Sequence, residues 1–91
     1  MTKGQIEAVL EIFFVEREGE GILEDLRGMD LVADGLLDSI DTLILATYLE
    51  EKTGIVLDIT SDRAMAAMRS FAGLVALATD QATSDNKSAL G

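Results

Sequence analysis

The sequence predicts an all-α domain of four helices, with a long loop between the first and second helices and a short third helix. Two observations support this fold class. Only three phenylalanines and one tyrosine occur among 91 residues, 48% of which are hydrophobic. The core must therefore consist mainly of Leu, Ile, Val, Ala and Met, a composition that suits helices. Apolar residues also recur at helical spacing, in a chain long enough for one small domain.

The first helix is predicted over residues 3–18. Thr2 and Gln5 have the spacing of a capping box, in which each side chain accepts a hydrogen bond from the backbone N–H of the other residue. Glutamates occupy one side of the helix, and an apolar stripe at helical spacing occupies the other. The stripe consists of Ile6, Val9, Leu10, Phe13 and Phe14.

Residues 19–38 are predicted as the long loop. They contain four glycines and two apolar clusters without sustained periodicity. A loop of this length inside a compact domain usually has a functional reason. Apolar residues are expected to anchor it in the core, namely Ile22, Leu26, Leu31 and Leu36.

The second helix is predicted to begin at Ser39, to keep helical spacing from Ile40 to Lys52, and to end at Gly54. Its apolar residues cover more of its circumference than one buried stripe would need. They are Ile40, Leu43, Ile44, Leu45, Ala46, Tyr48 and Leu49. The helix is therefore expected to be central, or also to contact a partner.

The remaining chain is predicted to hold two more helices. Residues 55–59 alternate like a strand but have no second strand to pair with, so we expect an extended connector that places Ile55, Leu57 and Ile59 in the core. Ser61 and Ser70 are expected to cap the third and fourth helices. Met65 and Met68 lie in the third helix, and the apolar stripe of the fourth is Phe71, Leu74, Val75 and Ala78. We expect a domain over residues 1–79 and a disordered tail over residues 80–91.

Composition excludes several classes of function. The chain has no cysteine and no histidine, which removes thiolate nucleophiles, Ser-His-Asp triads and ordinary zinc sites, so we predict no enzymatic activity. Its net charge of −10 would repel nucleic acids and anionic membranes and would favour partners with basic patches. No apolar run approaches a membrane span, and the N-terminus lacks a signal pattern. We expect a cytoplasmic monomer.

Residues 34–41, which read DGLLDSID, contain the most informative junction. Asp38 and Ser39 precede an apolar helix, and both residue types are favoured helix caps. Taken alone, the pair is explained by helix capping. The context favours a functional role as well, because a long loop leads into GLLDS and the serine begins the central helix rather than a peripheral one.

This combination resembles the acyl carrier protein family, including its peptidyl and D-alanyl carrier relatives, over about residues 5–79. The tripeptide Asp38-Ser39-Ile40 matches the Asp-Ser-Leu type motif of the family. The resemblance implies that Ser39 carries 4′-phosphopantetheine, which a phosphopantetheinyl transferase (holo-acyl carrier protein synthase) transfers from coenzyme A. Acyl or aminoacyl groups would then be carried on the terminal thiol as thioesters. The absence of cysteine agrees with a thiol supplied by the arm.

The resemblance also implies that enzymes with basic patches dock on the second helix. These would be acyl-transferring or acyl-activating enzymes, and the docking residues would be Asp41, Ile44, Glu50 and Glu51. Ile44 stands where carriers of fatty acid synthesis commonly present an acidic residue. This difference favours a specialised lipid, polyketide or peptide pathway over housekeeping fatty acid synthesis.

Two alternatives come from other classes of function. A twelve-residue calcium loop counted from Asp30 would place Asp34, Asp38 and Asp41 at positions five, nine and twelve. However, Val32 offers no side-chain oxygen at position three, and the last ligand is Asp instead of Glu. A ligand-free helical adaptor would explain the amphipathic helices, but not the loop or the Ser39 junction.

Overall fold

The computed structural model describes the backbone of residues 2–90 and the side chains of residues 2–82. The described chain is a small all-helical bundle without strands, which confirms the predicted all-α class. Helix α1 is Lys3–Glu18, α2 is Ile22–Asp25, α3 is Ser39–Thr53, α4 is Asp62–Ala67 and α5 is Phe71–Leu90, with a 3-10 turn at Leu26–Gly28. No helix among these residues is long and apolar enough to cross a membrane.

Helix α1 begins and ends where the sequence predicts. Its capping box is present, with the Gln5 N–H donating to Thr2 Oγ1 at 3.2 Å and the Thr2 N–H donating to Gln5 Oε1 at 2.8 Å. The aromatic side chains on its inner face join the helix to the rest of the core. Phe13 lies 5.2 Å from the ring of Tyr48 in α3, and Phe14 lies 6.4 Å from Phe71 in α5, measured between centroids.

The segment between α1 and α3 is more ordered than the predicted loop. It contains α2 and the 3-10 turn, which together cover only seven residues, Ile22–Gly28. Leu26, Leu31 and Leu36 are buried as predicted, whereas Ile22 is half-buried against the core. The prediction of an irregular loop was therefore wrong for this part of the segment, because one or two helical turns are too short to show a hydrophobic period.

Hydrogen bonds fasten the second half of this segment to the end of α4. The Leu31 N–H donates to the carbonyl of Arg69 at 2.7 Å, and the Leu37 N–H donates to the Leu31 carbonyl at 2.9 Å. The Arg69 guanidinium also donates to Asp30 at 3.1 Å. The chain that enters α3 is thus held by both backbone and side-chain contacts.

The connector after α3 confirms its predicted role. Gly54 ends α3 with a left-handed backbone, at φ 76°. Ile55 and Leu57 are buried, and Ile59 packs against the core. Met65, which was predicted in the third helix, is half exposed, whereas Met68 is fully buried.

Helices α4 and α5 begin at the predicted serine caps. Ser61 Oγ accepts from the Ala64 N–H at 3.1 Å, and Ser70 Oγ accepts from the Gly73 N–H at 2.9 Å. Gly73 is required by close packing, because a Cβ atom there would lie 2.4 Å from the Ala67 carbonyl oxygen.

Helix α5 continues beyond the domain boundary predicted at residue 79. The disordered tail was predicted over residues 80–91. The side chains of residues 83–90, and residue 91 altogether, lie outside the described residues. Asp80, the first residue of that segment, accepts a hydrogen bond from Arg63 of α4 at 2.9 Å. The prediction for the rest of the segment stays a prediction.

Candidate functional site

The N-terminus of α3 is capped by aspartates on both sides of Ser39. Asp38 Oδ1 accepts from the Asp41 N–H at 2.8 Å, and Asp41 Oδ2 accepts from the Asp38 N–H at 3.1 Å. This reciprocal pair is a capping box in which Asp takes both positions. Ser39 is the first residue of the helix, so the cap does not use its side chain.

Ser39 presents an exposed hydroxyl group at this position. Among the described residues, the hydroxyl makes no hydrogen bond, and the backbone N–H groups of Ser39 and Ile40 have no acceptor. The first N–H groups of a helix lack partners within the helix and carry the positive end of its dipole. Two free donors therefore lie next to a free hydroxyl.

Buried residues on either side fix the position of Ser39. Leu36 and Leu37 immediately precede the cap and are buried. Thr42, one turn further on, is also buried, and its hydroxyl donates to the Ser39 carbonyl at 2.8 Å. The backbone that carries the exposed hydroxyl is therefore anchored in the core by buried residues before and after Ser39.

Asp41 has internal partners besides the cap. Its carboxylate forms an ion pair with Arg17, which lies in the last turn of α1. The hydrogen bond from the Asp38 N–H holds the pKa of Asp41 below its usual value, and Arg17 contributes in the same direction, while burial opposes both. A docking role for Asp41 stays a prediction, but its carboxylate is already engaged within the fold.

We expect Asp41 to contribute stability that is lost in acid. Its folded-state pKa is lowered, so its contribution is complete above the ordinary value of about 3.9 and is lost as the pH falls through the lower folded-state pKa. The stability difference between wild type and Asp41→Asn should therefore shrink from pH 7 to pH 3 in denaturant titrations. The control is Glu50→Gln, because Glu50 is exposed and has no ion pair among the described residues. A difference that stays constant with pH would contradict this assignment.

The carboxylates of the four aspartates in the alternative calcium loop accept hydrogen bonds from backbone N–H groups, in two separate groups. Asp30 Oδ1 accepts from the Val32 and Ala33 N–H groups at 3.1 and 2.9 Å, and Asp34 Oδ2 accepts from the Asp30 N–H at 3.1 Å. Asp38 and Asp41 form the second group, at the cap. In the part of the chain whose side chains are described, no three His, Cys, Asp or Glu residues are grouped to hold a metal ion. The structure thus offers no observation that favours the calcium alternative.

Helix α3 exposes apolar side chains directly after Ser39. Ile40, Leu43 and Ile44 are 66%, 57% and 46% exposed. Glu50 and Glu51, near the other end of the helix, are also exposed and form no ion pair within the described residues. The predicted docking residues other than Asp41 therefore lie on the accessible surface of one helix.

Two residues of this site were not found from the sequence. Arg17 pairs with Asp41 across 24 positions, and no local pattern identifies such a partner. Thr42 could have been singled out by its place one turn after Ser39, where a hydroxyl can reach back to a backbone carbonyl. Comparison of the chain with protein-family models, curated proteins and solved structures finds no match.

Proposed function

We propose that this chain is a carrier protein that bears acyl or aminoacyl groups as thioesters on a 4′-phosphopantetheine arm attached to Ser39. The observation that supports this function best is that the cap at the start of α3 does not use the Ser39 side chain. Asp38 and Asp41 cap the helix, and the hydroxyl of Ser39 remains exposed and without a hydrogen bond among the described residues. Capping alone does not explain the serine.

The surroundings of Ser39 suit a phosphodiester. A phosphate on Oγ would lie near the free N–H groups of Ser39 and Ile40 and near the positive end of the α3 dipole. When attached, the group supplies a thiol at the end of a flexible arm. The chain has no histidine to act as a base toward Ser39, and Asp38 and Asp41 are occupied by backbone donors. Ser39 is thus an attachment point, and the transferase supplies the catalytic groups.

The order of the helices supports an acyl-carrier-like arrangement. A long segment separates α1 from α3, the serine opens α3, and a short α4 precedes the last helix. Helix α1 contacts both α3 and α5, so α3 packs on one side and presents its other side outward. That outward side would serve the enzymes that act on the arm, and Ile44 on it favours a specialised pathway over housekeeping fatty acid synthesis.

The direct test is modification by a broad-specificity phosphopantetheinyl transferase with coenzyme A. Intact mass spectrometry should show the addition of one phosphopantetheine, and peptide mapping should place it on Ser39. Ser61 and Ser70 are internal controls, since both hydroxyls accept cap hydrogen bonds and should stay unmodified. An unmodified chain, under conditions that convert a known carrier, would refute the proposal. Calorimetric titration with calcium would then separate the calcium-site and adaptor alternatives.

Glu51 is expected to take part in docking and to contribute little to folding. Reversal of its charge in Glu51→Lys should slow loading by the transferase, because an exposed acid opposite a basic patch speeds association. The wild-type advantage should shrink as salt is raised, while stability changes by less than about 0.5 kcal/mol. The matched control is Glu20→Lys, which makes the same charge change at an exposed position before α2.

Loading rates measured against ionic strength test the docking role of Glu51, and thermal melts test whether it contributes to folding. Equal rates for Glu51→Lys and wild type at low salt would show that this end of α3 is not the docking face. Equal slowing in Glu20→Lys would show that only the net charge matters.

A further inference from the structure

Arg17, in the last turn of α1, is bonded to the first turn of α3. Its guanidinium forms an ion pair with Asp41, and the other carboxylate oxygen of Asp41 accepts from the Asp38 N–H at 3.1 Å. Asp38 directly precedes Ser39 along the chain. The positive charge at the end of α1 is therefore connected, through one carboxylate, to the backbone next to the exposed hydroxyl.

A second contact holds the Arg17 side chain in this position. Its guanidinium carbon lies 5.2 Å from the centroid of the Phe13 ring, a distance typical of a cation–π contact. Phe13 is itself buried and packs on Tyr48 of α3, with ring centroids 5.2 Å apart. The guanidinium thus contacts both a buried ring and a carboxylate, so it loses little side-chain freedom when it binds a further group.

Most of the hydrogen-bonding capacity of this guanidinium is unused. An arginine side chain has five N–H donors, and within the described residues Arg17 donates to Asp41 alone. Its side chain is 30% exposed, so a group outside the fold can reach it. The planar arrangement of arginine donors matches the oxygens of phosphate groups.

The other basic side chains that the structure describes are engaged elsewhere or lie far from this turn. Three arginines pair with acids other than Asp41, namely Arg27, Arg63 and Arg69. Lys3 lies at the opposite end of α1 from Arg17, and Lys52 lies at the opposite end of α3 from Ser39, a separation of roughly 20 Å along either helix. Of the described basic side chains, Arg17 is therefore the one bonded to the first turn of α3.

We propose that Arg17 is a positioning residue for the prosthetic group, and that its guanidinium supplies the positive charge that balances a phosphodiester on Ser39. A phosphodiester adds a negative charge to a turn that already contains the carboxylates of Asp38 and Asp41. Like charges this close repel, and a cation shared between a carboxylate and a phosphate removes part of the repulsion. The inference rests on the proposed function and deepens it, because it specifies how α1 stays bonded to α3 once the arm is attached.

The first test compares the apo chain with the loaded chain, in which phosphopantetheine is attached to Ser39, for wild type and Arg17→Gln. Loading should lower the melting temperature of Arg17→Gln by about 2–4 °C more than that of wild type, the shift expected for one surface ion pair in a domain of this size. Comparison of loaded with apo protein cancels the direct effect of the substitution on folding. The extra loss should shrink as salt is raised.

Two further variants serve as matched controls. Arg63→Gln makes the same charge change but removes the ion pair with Asp80 of α5, so its response to loading should equal that of wild type. Arg17→Lys keeps the positive charge and should recover most of the wild-type response. Equal responses of Arg17→Gln and Arg63→Gln to loading would overturn the inference.

Side-chain NMR of the isotope-labelled wild-type chain gives a second readout that needs no variant. The Nε–H resonance of Arg17 should shift on loading, whereas the resonances of the other paired arginines should stay in place. An unchanged Arg17 resonance would also overturn the inference. A wild-type chain that is loaded at Ser39 but shows neither effect refutes only the role of Arg17. A chain that is never loaded refutes the carrier function, and this inference with it.

Discussion

Replacement of Ser39 with alanine is expected to abolish phosphopantetheine addition completely while leaving the melting temperature nearly unchanged. The loss follows because alanine has no oxygen to accept the phosphoryl group. Stability should persist because the Ser39 side chain is exposed and makes no hydrogen bond among the described residues. The change lies at the first position of a helix whose capping groups belong to Asp38 and Asp41.

Asp38→Ala is the matched control, one residue away. It removes the acceptor for the Asp41 N–H and should lower the free energy of unfolding by about 0.5–2 kcal/mol. The measurements are intact mass after incubation with transferase and coenzyme A, and denaturant titration of all three proteins. A Ser39→Ala protein that still gains the mass, or that loses as much stability as Asp38→Ala, would contradict the assignment of separate roles.

The second large effect is a loss of stability, expected on truncation of a buried leucine in the segment between α1 and α3. Leu26→Ala should lower the free energy of unfolding by about 3–5 kcal/mol, the range for leucines whose removal leaves a cavity in a core. Leu26 is fully buried although it belongs only to a 3-10 turn. A small domain has a total stability of roughly 5–15 kcal/mol. A loss of this size should therefore lower the melting temperature of Leu26→Ala clearly below that of wild type.

Leu23→Ala provides the control, because Leu23 lies in the same segment but is 39% exposed. The same chemical change there removes less buried surface and should cost far less stability. Denaturant titrations of both variants, followed by circular dichroism, give the comparison. Similar losses in the two proteins would mean that the segment does not belong to the core.

The long helices were predictable because their signals are local. The Thr2–Gln5 capping box and an apolar stripe of several turns fix the bounds of α1, and Gly54 marks the end of α3. Helix α2 and the turn after it escaped prediction, because seven residues contain too few repeats to reveal a period. The burial of Leu26 was still predictable, because the apolar residues of a long loop inside a compact domain are expected to anchor it in the core.

The candidate site was predictable in part. The sequence predicts that the helix begins near Ser39. It does not predict whether Asp38 or Ser39 caps the helix, because both residue types serve as caps. The ion pair of Asp41 with Arg17 joins residues 24 positions apart, so only the packing of α1 against α3 reveals it. The exposure of Ile44 also depends on which side of α3 that packing covers.

The tie between Asp30 and Arg69 has a consequence for the order of events in folding. These residues are 39 positions apart, so closing the chain between them carries an entropic cost before the contact is gained. The segment that leads to Ser39 therefore gains this contact only after the chain through Arg69 has been synthesised and folded back. A nascent chain that stops before Arg69 lacks both this ion pair and the backbone hydrogen bond from the Leu31 N–H to the Arg69 carbonyl, so the segment before Ser39 is less constrained in it than in the complete domain.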